Sequence, residues 1–144
     1  MKVFLQFAAV LALLCVTTGK LPAKELKVLM IGNSFSVCVG KYLPAIVSAE
    51  KKHKLELTSA YIGGCALNKH YAKLQEAEKN PEVKPYKISV WNSAVNPASK
   101  DARVTYGNIN NLLKNNQYDI ITIQQASRYS FDPATYHPLS LIHI

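Results

Sequence analysis

Short apolar runs that end in glycine or in polar side chains mark the strands of this chain. The first run, residues 26–31, is bounded by Gly32-Asn33, which is the pattern of a short buried strand. Further strands are predicted at residues 55–62, 86–91 (as a hairpin or an edge strand) and 120–123. The runs at 26–31, 55–62 and 120–123 end in small or amide side chains, so polar chemistry is expected where these strands end.

Apolar residues at helical spacing predict three helices. Pro44 fits a helix only in the first turn, so the first helix is expected to begin at about Gly40 or Lys41. The other two are predicted over residues 67–78 and 106–116, with a loop over residues 92–101. Strands that alternate with helices predict a parallel α/β sheet, and such sheets bind ligands at the carboxyl ends of their strands.

The first nineteen residues have the order of a secretory signal peptide. Lys2 is followed by the apolar stretch 3–16 and by the small residues Thr17-Thr18-Gly19. The sequence therefore predicts a signal peptide over residues 1–19 and one domain over residues 20–144, exported to the periplasm or the medium. The apolar stretch is short for a membrane span, and no second one follows, so stable membrane association is not expected after cleavage. A lipid anchor on Cys15 is disfavoured because Leu14 precedes it.

Composition narrows the class of protein. The chain has 144 residues, 49% of them hydrophobic, and a formal net charge of +8, which suits one globular domain. The lysines are scattered and no nucleic-acid-binding motif accompanies them, so a nucleic-acid partner is not expected. Cys38 and Cys65 would form one disulfide bridge or remain two buried thiols, and their spacing matches no metal motif.

Three strand ends carry the candidate chemistry. Ser34 follows the first strand, where an exposed hydroxyl near a helix N-terminus suits a nucleophile, although Ser34 or Ser36 as a helix cap is the simpler interpretation. Gly63-Gly64 offers backbone amides to an oxyanion or only a tight turn. The side-chain amides of Gln124-Gln125 could donate to the same oxyanion or be an ordinary polar strand end.

The segments Gly-Asn-Ser-Phe-Ser (32–36), Tyr-Ile-Gly-Gly-Cys (61–65) and Ile-Gln-Gln-Ala-Ser (123–127) together resemble the SGNH, or GDSL-like, hydrolase superfamily. More narrowly, residues 26–138 resemble a bacterial family of unknown function numbered 4886. The resemblance implies a three-layer α/β/α sandwich related to the flavodoxin-like fold. It also implies a nucleophile at Ser34, an oxyanion donor at Gly63 or Gly64, and a second donor at Gln124 or Gln125. Asn33 stands where the superfamily usually has aspartate, and no Gly-x-Asn-Asp block occurs.

A further element of the superfamily, an Asp-x-x-His that supplies the base, is not found in the sequence. None of the histidines follows an aspartate by three residues; they are His53, His70, His137 and His143. The expected fold is therefore incomplete at its C-terminus, and this chain is expected to be inactive alone. Asn33, His70 and Ser127 are the candidate substrate-binding residues, although a structural role for His70 is favoured over catalysis.

The resemblance implies a serine ester hydrolase that removes acetyl or other acyl groups from a carbohydrate, with no metal or organic cofactor. A non-catalytic glycan-binding module of the same fold is the alternative. A flavodoxin-like module that binds a phosphate at the Ser34 turn is the third hypothesis, and a flavin or nucleotide bound to purified protein would favour it.

Overall fold

A computed structural model describes residues 24–92 and 102–136 of the protein. The predicted signal peptide, most of the predicted loop at 92–101, His137 and His143 lie outside these residues. The described residues form five strands, three helices and two 3-10 turns. The elements are β1 (Glu25–Gly32), α1 (Ser34–Glu50), β2 (Lys54–Tyr61), α2 (Leu67–Lys79), β3 (Tyr86–Asn92), β4 (Arg103–Gly107), α3 (Ile109–Asn115) and β5 (Ile120–Ile123), followed by 3-10 turns at Ser127–Tyr129 and Pro133–Tyr136.

The strands form one mixed sheet in the order β4-β3-β2-β1-β5. β1 lies between β2 and β5 and is parallel to both, whereas β3 runs antiparallel to β2 and β4 runs antiparallel to β3. The fold is therefore mixed α/β. The predicted parallel arrangement is found for β1, β2 and β5 but not for β3, which pairs antiparallel with β4, in agreement with the hairpin expected at residues 86–91. The three parallel strands are the ones that carry the candidate site.

The antiparallel direction of β3 follows from where the chain lies after α2. The backbone carbonyls of Pro81 and Val83, in the loop after α2, accept hydrogen bonds from the side chain of Asn108. Asn108 directly follows β4, and β4 ends at the same edge of the sheet as β2. The chain has therefore not returned to the opposite edge of the sheet, as a parallel crossover requires. β3 begins beside the end of β2, with Lys87 opposite Tyr61.

Alternate residues of β1 belong to two different apolar clusters. Val28 and Met30 pack with Leu43 and Val47 of α1. Leu29 and Ile31 belong to the other cluster, which the apolar side chains of α2 and α3 complete. The period of two along a strand sends neighbouring side chains to opposite faces, so β1 is buried from both sides and holds its carboxyl end rigidly.

Two helix predictions are corrected. α1 begins at Ser34, before Gly40, and Pro44 lies inside it. Pro44 has no N–H for the hydrogen bond to the carbonyl four residues earlier, so α1 lacks one backbone bond at this point. Pro44 is buried on the inner face of α1, and the packing of that face stabilises the helix by more than the missing bond costs. The helix predicted over 106–116 is shorter, because Tyr106 and Gly107 end β4, and β4 itself was not predicted.

The remaining expectations about the chain concern its cysteines and membrane association. Cys38 is exposed on α1 and Cys65 is buried, and both are free thiols, so no bridge joins them. Over residues 24–92 and 102–136, no helix has the length and apolar character needed to cross a membrane.

Candidate active site

The ends of β1, β2 and β5 meet at one edge of the sheet because these neighbouring strands are parallel. The N–H of Ile62, just past β2, donates to the carbonyl of Gly32 at 3.1 Å. On the other side of β1, the N–H of Gln124 donates to the carbonyl of Ile31 at 3.0 Å. The three loops that the sequence analysis selected are therefore brought together by backbone hydrogen bonds.

Ser34 is the first residue of α1, and its side chain is exposed at this edge. The cap of the helix is Asn33, whose Oδ1 accepts from the N–H of Phe35 at 3.2 Å. The hydroxyl of Ser36 donates to the carbonyl of Asn33 at 2.7 Å. The interpretation of Ser34 or Ser36 as the cap is therefore wrong, and the Ser34 hydroxyl makes no hydrogen bond within the described residues.

Asn33 joins the three loops beneath Ser34. Its side chain is only 2% exposed, and its amide nitrogen donates to the carbonyls of Cys65 and Gln125, each at 3.3 Å. With the cap bond, the amide group uses both hydrogens and its oxygen within the protein. Asn33 was predicted to contact substrate, and the structure instead places it in the support of the site.

The glycine pair forms an exposed turn beside this support. The N–H of Cys65 donates to the carbonyl of Ile62 at 3.3 Å, and Gly64 has a φ of +58°, a conformation that favours glycine. Both glycines are exposed, and neither N–H donates a hydrogen bond within the described part of the chain. Apart from Gly64 and its two chain neighbours, no atom of the described residues lies within 4 Å of the position that a Cβ on Gly64 would occupy. The turn therefore presents free backbone donors next to open space.

The two glutamines lie on opposite faces, since the alternation of β5 continues past its end. Gln124 turns toward α1, where its Oε1 accepts from the N–H of Ser36 at 3.1 Å. This bond fixes the orientation of the amide and leaves the Gln124 NH₂ group without a partner among the described residues.

Gln125 turns toward α2 and is buried. Its Oε1 accepts from the N–H groups of Leu67 at 3.0 Å and Ala126 at 2.9 Å. Its NH₂ group donates to the carbonyl and the hydroxyl of Thr135, at 3.2 and 3.1 Å. Both amide hydrogens are used, so Gln124 is the only one of the two glutamines that retains a donor for an oxyanion.

His70 belongs to the core. It is 1% exposed, its Nδ1 lies 2.9 Å from the hydroxyl of Tyr86, and the two rings stack at 5.7 Å between centroids. Burial disfavours the charged imidazolium and lowers the pKa of His70 to about 4, which makes it a weak base. The covered side chain agrees with the structural role favoured for His70 and not with its alternative place among the substrate-binding residues.

The other candidate side chains are distributed as follows. His53 lies near the amino end of β1, where its Nδ1 accepts from the N–H of Lys24 at 3.4 Å, so it is at the edge opposite Ser34. Ser127 is exposed in the first 3-10 turn, close along the chain to Gln125. Within residues 24–92 and 102–136, no three His, Cys, Asp or Glu side chains cluster as metal ligands.

Two residues of the site were missed by the sequence analysis. A Cβ on Gly32 would lie 2.7 Å from the Ser36 hydroxyl and 3.0 Å from Gln124 Oε1, so only glycine lets these groups meet. The position of Gly32 directly after a buried strand was a usable signal. Thr135, which holds Gln125, carried no such signal because it lies ten residues away in a short 3-10 turn.

Comparison with known proteins shows the family. Residues 27–140 match the family described as Domain of unknown function (DUF4886). The chain belongs to this DUF4886 family. The narrower resemblance noted from the sequence is thereby confirmed, while membership of the SGNH superfamily stays a prediction.

A solved DUF4886 family protein from Bacteroides uniformis ATCC 8492 is similar to this chain, with 26% identity and a TM-score of 0.61. The match covers 78% of this chain and 40% of that protein, so this chain spans less than half of the solved relative. No curated protein matches the chain.

Proposed function

We propose that this DUF4886 protein is an SGNH-type serine ester hydrolase with a three-layer α/β/α arrangement, and that Ser34 is its nucleophile. The observation that carries the proposal is the Ser34 hydroxyl, exposed at the N-terminus of α1 and released from capping by Asn33. A serine in this position has no structural task to explain it. It also lies where the helix dipole favours developing negative charge.

Three kinds of donor are available for an oxyanion at this edge. The N–H of Ser34 belongs to the first turn of α1, where backbone donors lack helical partners. The amides of Gly63 and Gly64 and the NH₂ group of Gln124 are the others. Fixed donors of this kind supply a large part of the stabilisation of tetrahedral intermediates.

The reaction also needs a base for the serine proton. His53 lies at the wrong edge and His70 is buried, so neither of these two histidines can be the base. We assign the base to a histidine outside residues 24–92 and 102–136, oriented by an aspartate. That base would take the Ser34 proton as Oγ attacks the ester carbonyl, and would return it to the leaving alcohol. Water would then release the acyl group by the reverse route.

For the substrate we propose an acetyl or other acyl ester of a carbohydrate, met outside the cytoplasm after export. Exposed aromatic rings accompany the site: Phe35 follows Ser34, and Tyr129 and Phe131 follow Gln125. Flat apolar rings offer sugars a surface to stack on. The same rings favour the second candidate, a glycan-binding module of this fold without catalysis.

The test compares Ser34→Ala with Ser36→Ala in the protein extended through its natural downstream sequence. Ser34→Ala is expected to lower hydrolysis of an aryl acetate by a factor on the order of 10³ or more, because it removes the attacking atom. Ser36→Ala removes one hydrogen bond within the first turn and is expected to retain most activity. A fluorophosphonate should label the wild type and Ser36→Ala, but not Ser34→Ala.

Near-normal turnover in Ser34→Ala would refute the assignment of the nucleophile. Wild-type protein that binds acylated glycans but neither hydrolyses them nor reacts with the fluorophosphonate would favour the glycan-binding module.

A further inference from the structure

Two buried asparagines in this protein are built into the same local arrangement. Each follows a glycine at the end of a strand and caps the next helix: Asn33 before α1, and Asn108 before α3. Asn108 is 1% exposed, its Oδ1 accepts from the N–H of Asn111 at 2.8 Å, and its NH₂ group donates to the carbonyls of Pro81 and Val83. The arrangement thus uses one side chain both to cap a helix and to clamp neighbouring backbone.

The two clamps differ in what they hold. Asn108 holds one stretch of chain, between α2 and β3. Asn33 holds two separate loops: the carbonyl of Cys65 directly follows the glycine turn, and the carbonyl of Gln125 directly follows Gln124. The NH₂ group of Asn33 therefore fixes the distance from Asn33 to the glycine turn and to the Gln124 loop, the two loops that carry the free donors.

We propose that Asn33 is the positioning residue of the site, which fixes the glycine turn and the Gln124 loop relative to the Ser34 hydroxyl. The proposal rests on the proposed function, since positioning has a chemical purpose only if Ser34 reacts. The two accepting carbonyls of this protein require a side chain that donates two hydrogen bonds at this position. A carboxylate would still cap α1, but it has no hydrogen to donate and would face two carbonyl oxygens.

Two variants separate clamping from capping. Asn33→Ser keeps a good cap but is too short, and has too few donors, to bridge both loops. Asn33→Asp keeps the shape of the side chain and makes the clamp depend on pH, because the protonated carboxyl donates one hydrogen bond and the carboxylate donates none. The thiol beside the accepting carbonyl, Cys65, has its pKa raised by burial and stays protonated over the range tested. Asn108→Asp is the matched control, with the same chemistry three strands away from β1.

The first measurement is amide hydrogen exchange of this chain, each variant relative to wild type at the same pH. In Asn33→Ser, the hydrogen-bonded amides of the two loops are expected to exchange at least about tenfold faster, while α1 keeps its protection. These amides are those of Ile62, Cys65, Gln124 and Ala126. In Asn33→Asp, the same amides are expected to exchange at least about tenfold faster at about pH 8 and by a smaller factor at about pH 5. Burial against two carbonyl oxygens favours the protonated carboxyl, which restores one of the two hydrogen bonds. Unchanged exchange of these loops in both variants would overturn the clamp.

The second measurement is fluorophosphonate labelling of Ser34 in the extended protein. Relative to wild type, Asn33→Asp is expected to label at least about tenfold more slowly at about pH 8 and to recover part of that loss at about pH 5, whereas Asn108→Asp stays within about twofold at both. Asn33→Asp could label at the wild-type rate at both pH values even though hydrogen exchange shows that its loops are loosened. That result would show that the hydrogen bonds of Asn33 do not affect the reactivity of Ser34. If wild type itself does not label, the proposed function fails, and the exchange data alone decide whether Asn33 clamps the loops.

Discussion

Acid should weaken this protein through one buried histidine. Burial lowers the pKa of His70 from its usual 6.5 to about 4, so the unfolded chain binds a proton in a range where the folded chain does not. The contribution to stability is complete above about pH 6.5 and is lost as the pH falls toward about 4. Each pH unit between these values corresponds to about 1.4 kcal/mol, so His70 alone should lower the free energy of unfolding by about 3 kcal/mol between about pH 7 and pH 4.

The geometry explains why protonation is costly. Nε2 of His70 is buried without a hydrogen-bond partner among the described residues, and Nδ1 contacts the Tyr86 hydroxyl. An imidazolium would place a charge and an unpaired N–H in the apolar cluster of Tyr86 and its neighbours.

The assay is urea denaturation of three proteins at about pH 7 and about pH 4. The double variant His70→Phe/Tyr86→Phe keeps two stacked rings and removes both members of the hydrogen bond, so its stability at pH 7 should lie within about 1 kcal/mol of wild type. It should lose about 3 kcal/mol less than wild type on acidification. His53→Gln, at the opposite edge of the sheet, should retain the loss seen in wild type. Equal acid sensitivity of the double variant and wild type would refute the reasoning.

Two further predictions concern the support of the site and export. Gly32→Ala would place a Cβ 2.7 Å from the Ser36 hydroxyl and should lower the free energy of unfolding by about 1–3 kcal/mol in the same assay. Gly107→Ala, where the nearest atom is 3.6 Å away, should change it by less than about 1 kcal/mol, and equal effects would contradict the role given to Gly32. Exported protein should begin near Lys20 on N-terminal sequencing, and an intact initiator methionine on protein confined to the cytoplasm would contradict the signal peptide.

Local sequence patterns were enough to locate the elements around the site. Apolar runs and their ends located β1, β2 and β5 to within a residue or two, because the run of apolar and β-branched side chains that favours a strand is a local property of the sequence. The placement of Ser34, Gly63-Gly64 and Gln124-Gln125 at strand ends followed directly. The parallel pairing of these strands then brought all three segments to one edge.

The role of each of these residues depends on contacts that form only when the chain folds. Gln124 and Gln125 look equivalent in the sequence, but they face opposite sides of the sheet. Gln124 keeps a free NH₂ group, whereas the side chain of Gln125 is fully hydrogen-bonded, with Leu67 and Thr135 among its partners. The clamp at Asn33 depends on carbonyls from two loops remote in the chain. The direction of β3 depends on where the chain lies after α2. These outcomes rest on contacts between distant segments, which local periodicity does not record.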